Sequence, residues 1–269
     1  STLREYSLAG AFRREISLPS LGSLSGLTGE REGNELFFGF TSFVVPHNIY
    51  RMEPNADPVL LKKAESGIDE SGFVVEQQWY ASKDDTKIPM FIVHKKGIVR
   101  DGTNPTMLYG YGGFNVSITP SFAKTTMPFL EAGGIYAVAN LRGGGEFGEM
   151  WHEAGMRKNK QNVFDDFIAA AEFLIAQKYT SQKKLAIFGW SNGGLLTGAC
   201  LTQRPELYKA VVIGALVLDM LRYHLFDGGR LWIPDYGSSE EPDMVPYLLA
   251  YSPYHNVKSG TNYPATLIV

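Results

Sequence analysis

Around Ser191 the sequence reads Gly189-Trp190-Ser191-Asn192-Gly193, with a further glycine, Gly194, directly after. This pattern suits a nucleophile held at a sharp bend. A serine in a strained backbone conformation projects its hydroxyl clear of the chain, and glycines on either side remove Cβ atoms that would clash. As a string the motif is weak, because glycine-rich turns are common, and its context decides between the two readings. Residues 185–188 before it read as a strand, and 192–203 after it read as a helix stopped by Pro205. A strand entering the serine and a helix leaving it place the hydroxyl above a sheet and turn the positive end of the helix toward a developing oxyanion. The chemistry expected is acyl transfer through a covalent intermediate on Ser191.

The elements needed to carry such a bend are present on both sides of it. Strands are expected at 106–109, 135–140, 185–188 and 211–215, with a last one at 266–269, and helical spacing occupies 163–178 and 192–203. This alternation predicts an α/β fold with a mostly parallel sheet and helices on both faces. Residues 1–66 read differently. Short apolar stretches such as Glu35-Leu36-Phe37-Phe38-Gly39-Phe40 lie between turn signals at Ala9-Gly10, Gly33-Asn34 and Asp57-Pro58, which suggests an antiparallel meander. A propeller blade takes about 40–45 residues, so this stretch holds little more than one. The polar composition of 62–71 places the domain boundary between 1–66 and 67–269.

Three more segments extend the pattern: Tyr109-Gly110-Tyr111-Gly112-Gly113-Phe114-Asn115, Asn140-Leu141-Arg142-Gly143-Gly144-Gly145-Glu146-Phe147-Gly148, and Trp232 with Asp235-Tyr236-Gly237. Together with Ser191-Asn192-Gly193-Gly194-Leu195-Leu196 they resemble the prolyl oligopeptidase family over nearly the whole chain. The resemblance implies an α/β-hydrolase catalytic domain, incomplete at its C-terminus, preceded by a β-propeller remnant. It implies a serine endopeptidase that hydrolyses short proline-containing peptides on the carboxyl side of proline, with the propeller limiting access.

Carried onto matching positions, the resemblance makes Ser191 the nucleophile and assigns the oxyanion hole to the Tyr111 hydroxyl and the Asn192 backbone N–H. It places Phe114, Val217, Trp232 and Tyr236 around the proline ring, with the indole stacked on the pyrrolidine. Plainer alternatives stand beside these roles: Tyr111 as a core aromatic with its hydroxyl at the surface, and the other four as packing residues. At Gly228 the family tends to carry an apolar side chain, so a wider pocket rim is expected here.

A serine in such a fold passes its proton to a histidine oriented by an acid, in chain order Ser, Asp or Glu, His. The resemblance places both partners beyond Val269, which leaves the chain by itself inactive. His224 and His255 follow Ser191, as do Asp219, Asp227, Asp235 and Asp243, but none stands where the fold would put a triad partner. His255 reads as fixing a local turn, and His47, His94 and His152 precede the elbow without motif spacing.

Composition narrows the remaining possibilities. A net charge of -3 gives no basic surface for nucleic acid, and the longest apolar run, 211–218, falls short of the roughly 20 residues that span a bilayer. The single cysteine, Cys200, has no intrachain partner, which favours a reducing compartment and a cytoplasmic location. The opening Ser1-Thr2-Leu3 has neither an initiator Met nor a signal peptide and reads as a cut end. No cofactor and no metal are expected, and the full-length protein is expected to be a monomer. Rival readings are an oligopeptidase B-like enzyme cleaving after Lys or Arg, which needs carboxylates in its pocket, and a truncated chain serving only as a binding surface. Dipeptidyl peptidases and lipase-like esterases are more distant, since no His-Gly-Gly-Gly loop occurs. The run Gly143 to Gly148 also fits a dinucleotide-binding pattern, but that motif needs a helix to open at once, and helical spacing is expected only from about 163.

Overall fold

Alternating apolar residues and closely spaced turns make the first 62 residues a set of short antiparallel strands. The computed structural model describes residues 1–269. Strands β1 (Leu3–Tyr6) and β2 (Phe12–Ile16) form a hairpin, and β3 (Ser23–Gly29), β4 (Leu36–Thr41), β5 (Asn48–Met52) and β6 (Val59–Lys62) form an antiparallel sheet in that order. Phe38 and Phe40 of β4 are buried, and Phe38 stacks on Tyr50 of β5 with ring centroids 5.5 Å apart. Every residue of β6 is exposed. This is the meander that the turn spacing predicts, in small sheets that fit a propeller remnant.

The chain divides into two compact units, one of residues 1–76, 93–96 and 119–132, the other of 77–92, 97–118 and 133–269. The remaining strands are β7 (Phe73–Ala81), β8 (Lys87–Lys95), β9 (Thr106–Gly110), β10 (Ile135–Ala139), β11 (Leu185–Trp190), β12 (Ala210–Gly214) and β13 (Ala265–Ile268). They form a seven-stranded sheet in the order β13-β12-β11-β9-β10-β8-β7. From β13 to β10 every neighbouring pair is parallel. Leu108, Ala137, Ile187 and Ile213 are buried, as expected of parallel strands covered on both faces.

Helices α1 (Met127–Glu131), α2 (Glu149–Glu153), α3 (Gln161–Ala176), α4 (Asn192–Gln203), α5 (Ile233–Tyr236), α6 (Val245–Tyr251) and α7 (Pro253–Asn256) complete the chain. In α3 the buried positions Val163, Phe164, Phe167, Ala170, Ala171 and Leu174 recur at helical spacing and make one apolar face. The helix that leaves the elbow, α4, is buried continuously from Asn192 to Cys200 and packs on β11 and β12. Its glycines allow that approach: a Cβ on Gly194 would stand 2.5 Å from the Gly214 carbonyl oxygen.

The expected strands form within one or two residues of their predicted ends, and the α4 limits of 192–203 are reproduced. One expectation is corrected. A helix does open at once after Gly148, since α2 begins at Glu149, and its five residues are too few to give a readable apolar period. The glycine run nevertheless closes on its own neighbours: a Cβ on Gly144 would meet the Glu146 carboxylate at 2.2 Å, and one on Gly145 would meet the Asn115 carbonyl at 2.5 Å. An acidic side chain folded against the loop opposes a pyrophosphate there.

Candidate active site

Strand β11 runs directly into α4 through Ser191, whose backbone adopts φ 57° and ψ -118°, the left-handed side of φ where a side chain is strained. The bend is pinned locally. Ser191 N–H donates to the Gly214 carbonyl at 2.9 Å, and the Ser191 carbonyl accepts from Gly194 N–H at 2.7 Å and Leu195 N–H at 3.2 Å. The glycine at 189 is obligatory: a Cβ there would fall 1.9 Å from the Gly193 carbonyl oxygen. At Gly193 a Cβ would stand 2.8 Å from the Gly110 carbonyl oxygen at the end of β9.

The loop leaving β9 brings Tyr111 and Phe114 to the same place. Gly112 and Phe114 both have positive φ, at 65° and 58°, and a Cβ on Gly112 would lie 2.3 Å from Val163 of α3. The Tyr111 and Ser191 side chains line the same small cavity. Burial raises the phenol's pKa, and the neighbouring Ser191 side chain opposes the rise.

Ser191, Tyr111, Phe114, Val217, Trp232 and Tyr236 line one cavity of about 90 Å³. Its aromatic walls are fixed edge to face: Phe114 meets Tyr236 at 5.3 Å and 83°, and Tyr223 meets Tyr236 at 5.3 Å and 87°. Tyr223 also stacks beneath Trp232 at 6.4 Å and 14°. Val217 and Trp232 border a second, larger cavity of about 460 Å³ that Leu216, Leu218, Phe226 and Tyr254 line together with Asp219, Arg222 and Asp227. Gly228 is not among the lining residues of either cavity, and a Cβ on it would meet only Leu231, at 3.8 Å.

Asn192 contributes in two ways. As the first residue of α4 its backbone N–H has no partner within the helix. Its buried side chain donates to the Tyr111 carbonyl at 2.5 Å and accepts from the Tyr236 hydroxyl at 2.9 Å and from Lys160 Nζ at 3.1 Å. Lys160, Asp235 and His152 stand behind the cavity and carry no signal in the sequence. Lys160 looks like any polar residue before an amphipathic helix, and Asp235 enters the sequence reading only inside a motif and among the acids set aside as triad partners. His152 has no spacing partner, and its bond to Asp235 spans 83 residues.

The histidines are placed away from the serine. None of the five lines the cavity. His255 Nδ1 is 2.8 Å from Ser252 Oγ in the turn that opens α7. His224 is buried, with Nε2 3.6 Å from Glu240 and Nδ1 unpartnered. His47 pairs with Ser25, and His94 with the Lys95 carbonyl.

Comparison with known proteins bears on all of this. Residues 120–269 match the profile of the prolyl oligopeptidase family, and residues 1–65 match that of the prolyl oligopeptidase N-terminal β-propeller domain. The prolyl endopeptidase of Elizabethkingia miricola is 46% identical over 271 residues, covering 100% of this chain and 38% of that protein. A solved prolyl endopeptidase structure is 52% identical with a TM-score of 0.91, covering 99% of this chain and 40% of that one. Prolyl oligopeptidase B of Galerina marginata, solved as the apo protein, is 40% identical with a TM-score of 0.90, covering 99% and 39%. The chain thus spans well under half the length of the relatives it matches.

Proposed function

Because the chain belongs to the prolyl oligopeptidase family of serine peptidases, we propose that it supplies the nucleophile, oxyanion hole and specificity pocket of an endopeptidase cleaving short peptides after proline. Ser191 attacks the scissile carbonyl. The Tyr111 hydroxyl and the Asn192 N–H receive the oxyanion, and the acyl-enzyme is released by water. Phe114, Val217, Trp232 and Tyr236 enclose the pyrrolidine ring. The proton of Ser191 goes to a histidine oriented by a carboxylate, both outside residues 1–269, a reading supported by the absence of any histidine from the cavity lining.

One observation carries the proposal: the serine at the strained elbow and a phenol line the same small aromatic cavity. The same cavity bears on specificity. None of its six lining residues is a carboxylate, whereas a pocket for Lys or Arg needs one. The cavity beside Ser191 therefore favours cleavage after proline over the oligopeptidase B-like alternative, and of the two aspartates in the adjoining cavity, Asp219 is already paired with Arg222. No helix is long and apolar enough to cross a membrane, and the only cysteine is buried. We place the protein in the cytoplasm on the cysteine usage.

The test uses the full-length protein containing this segment and chromogenic peptides ending in proline or in arginine. Turnover after proline that Ser191→Ala abolishes is expected. Preference for arginine would move the assignment to the basic-specific class, and turnover surviving Ser191→Ala would end it.

A further inference from the structure

Behind the cavity lies a chain of buried polar groups to which the reaction, as described so far, gives no part. Lys160 is 1% exposed. Its Nζ donates to the Gly112 carbonyl at 2.9 Å and to Asn192 Oδ1 at 3.1 Å, and stands 3.9 Å from Asp235 Oδ2. The ammonium also lies 5.3 Å from the centre of the Tyr236 ring. Asp235 accepts from Phe114 N–H at 3.2 and 3.3 Å and pairs with His152 Nε2 at 2.8 Å. Asn192 closes the circuit by donating to the Tyr111 carbonyl, and a Cβ on Gly113 would stand 2.6 Å from its amide.

We propose that Lys160 is a positioning residue that clamps the 110–115 loop onto the nucleophile elbow and so fixes the Tyr111 hydroxyl relative to the Asn192 N–H. The proposal rests on the peptidase reading above. Gly112 and Asn192 sit beside or at the two groups that would receive the oxyanion, and one ammonium is bonded to both. Donors for an oxyanion are effective only when held in place before charge develops, within about 0.5 Å of their working geometry.

Filling space does not explain a lysine here. An isolated buried ammonium is unfavourable, and apolar replacement of a buried ion pair is often neutral or stabilising. A lysine offers three donors in different directions from one atom, which an apolar residue does not. Asp235 supplies the counter-charge while holding the Phe114 N–H, so the wall of the cavity and the oxyanion loop are tied to the same cation. Burial lowers the Lys160 pKa to about 8, with Asp235 opposing the shift. The group is therefore mostly protonated at neutral pH.

The test compares wild type, Ser191→Ala, Lys160→Met, Asn192→Ala and the Lys160→Met/Asn192→Ala double variant in the full-length protein. Lys160→Met is expected to lower kcat by about 30-fold or more with KM within about threefold, and to weaken a proline-terminated peptide aldehyde in parallel with kcat. The aldehyde's adduct with serine carries the oxyanion, so it reads the donors and not the pocket. Asn192→Ala keeps the backbone N–H and should give the same kcat-selective loss, and the double variant should lose little more than either alone. If Lys160→Met does not fold, Asn192→Ala decides on the same criteria. Losses shared equally by KM and kcat, additive losses, or unchanged aldehyde affinity overturn the clamp. Wild type without turnover sinks the peptidase reading and the clamp's catalytic part with it. A crystal structure of Lys160→Met then tests the clamp mechanically: the 110–115 loop is expected to shift away from the nucleophile elbow, and a loop that superposes on that of wild type rejects the inference.

Discussion

At the scale of single residues, the site depends on where one phenol and one hydroxyl meet. The Tyr111 ring is held half-buried at the end of β9, and it lines one cavity with Ser191. Tyr111→Phe keeps the ring and removes only that donor. In the full-length protein it should lower kcat about a hundredfold with little change in KM, since removing one oxyanion donor typically costs a factor of about 10²–10³. Steady-state kinetics on a proline peptide measure this directly. An equal rise in KM would mean that the hydroxyl binds the ground state and does not serve the oxyanion.

At the scale of elements, the decisive feature is how closely β11, β12 and α4 approach one another. Glycines at 189, 193 and 194 stand where any Cβ would meet a backbone carbonyl within 3 Å. Backbone does not yield as a flexible side chain does, and overpacking of this kind costs about 1–3 kcal/mol or more. Gly189→Ala is therefore expected to lower the midpoint of thermal unfolding by several degrees. Gly228→Ala is the matched control. With φ at -80° and its nearest neighbour 3.8 Å away, it should leave the midpoint almost unchanged. Equal effects at the two positions would contradict the account of the elbow.

At the scale of the whole molecule, the larger unit is stapled across distant segments by charge as well as by its apolar core. The Arg142 guanidinium is 4% exposed as a residue and bonds Asp166, Asp84 and Ser82. That partnership lowers Asp84 from 3.8 to about 2, while its side chain stays half exposed. A carboxylate whose folded pKa is depressed contributes stability above its unfolded value and loses it as pH falls through the folded value. The stability advantage of wild type over Asp84→Asn should therefore be full above about pH 4 and vanish as pH approaches 2. Urea unfolding of both proteins across that range checks the sign, and a gap that widens on acidification would refute it. The 269-residue chain on its own, lacking a histidine at the serine, should show no Ser191-dependent peptidase turnover. Assay of the isolated chain beside the full-length protein tests this.

The sequence by itself determined the elbow, the five parallel strands and two long helices around it, and the meander of the first 66 residues. All of these rest on properties read within one or two turns of chain: glycine spacing, apolar period and the helix stop at Pro205. It also nominated all six residues that line the cavity, through a family resemblance spread over several segments. Only the tertiary structure decided how these segments are held together. The bonds of Lys160 to Gly112 and Asn192 span 48 and 32 residues, and that of Phe114 to Asp235 spans 121. No local pattern marks a lysine that will be buried or an aspartate that will face it. Their pairing exists because the parallel sheet brings the ends of β9, β11 and β12 side by side, where groups distant in sequence are desolvated together and must satisfy one another.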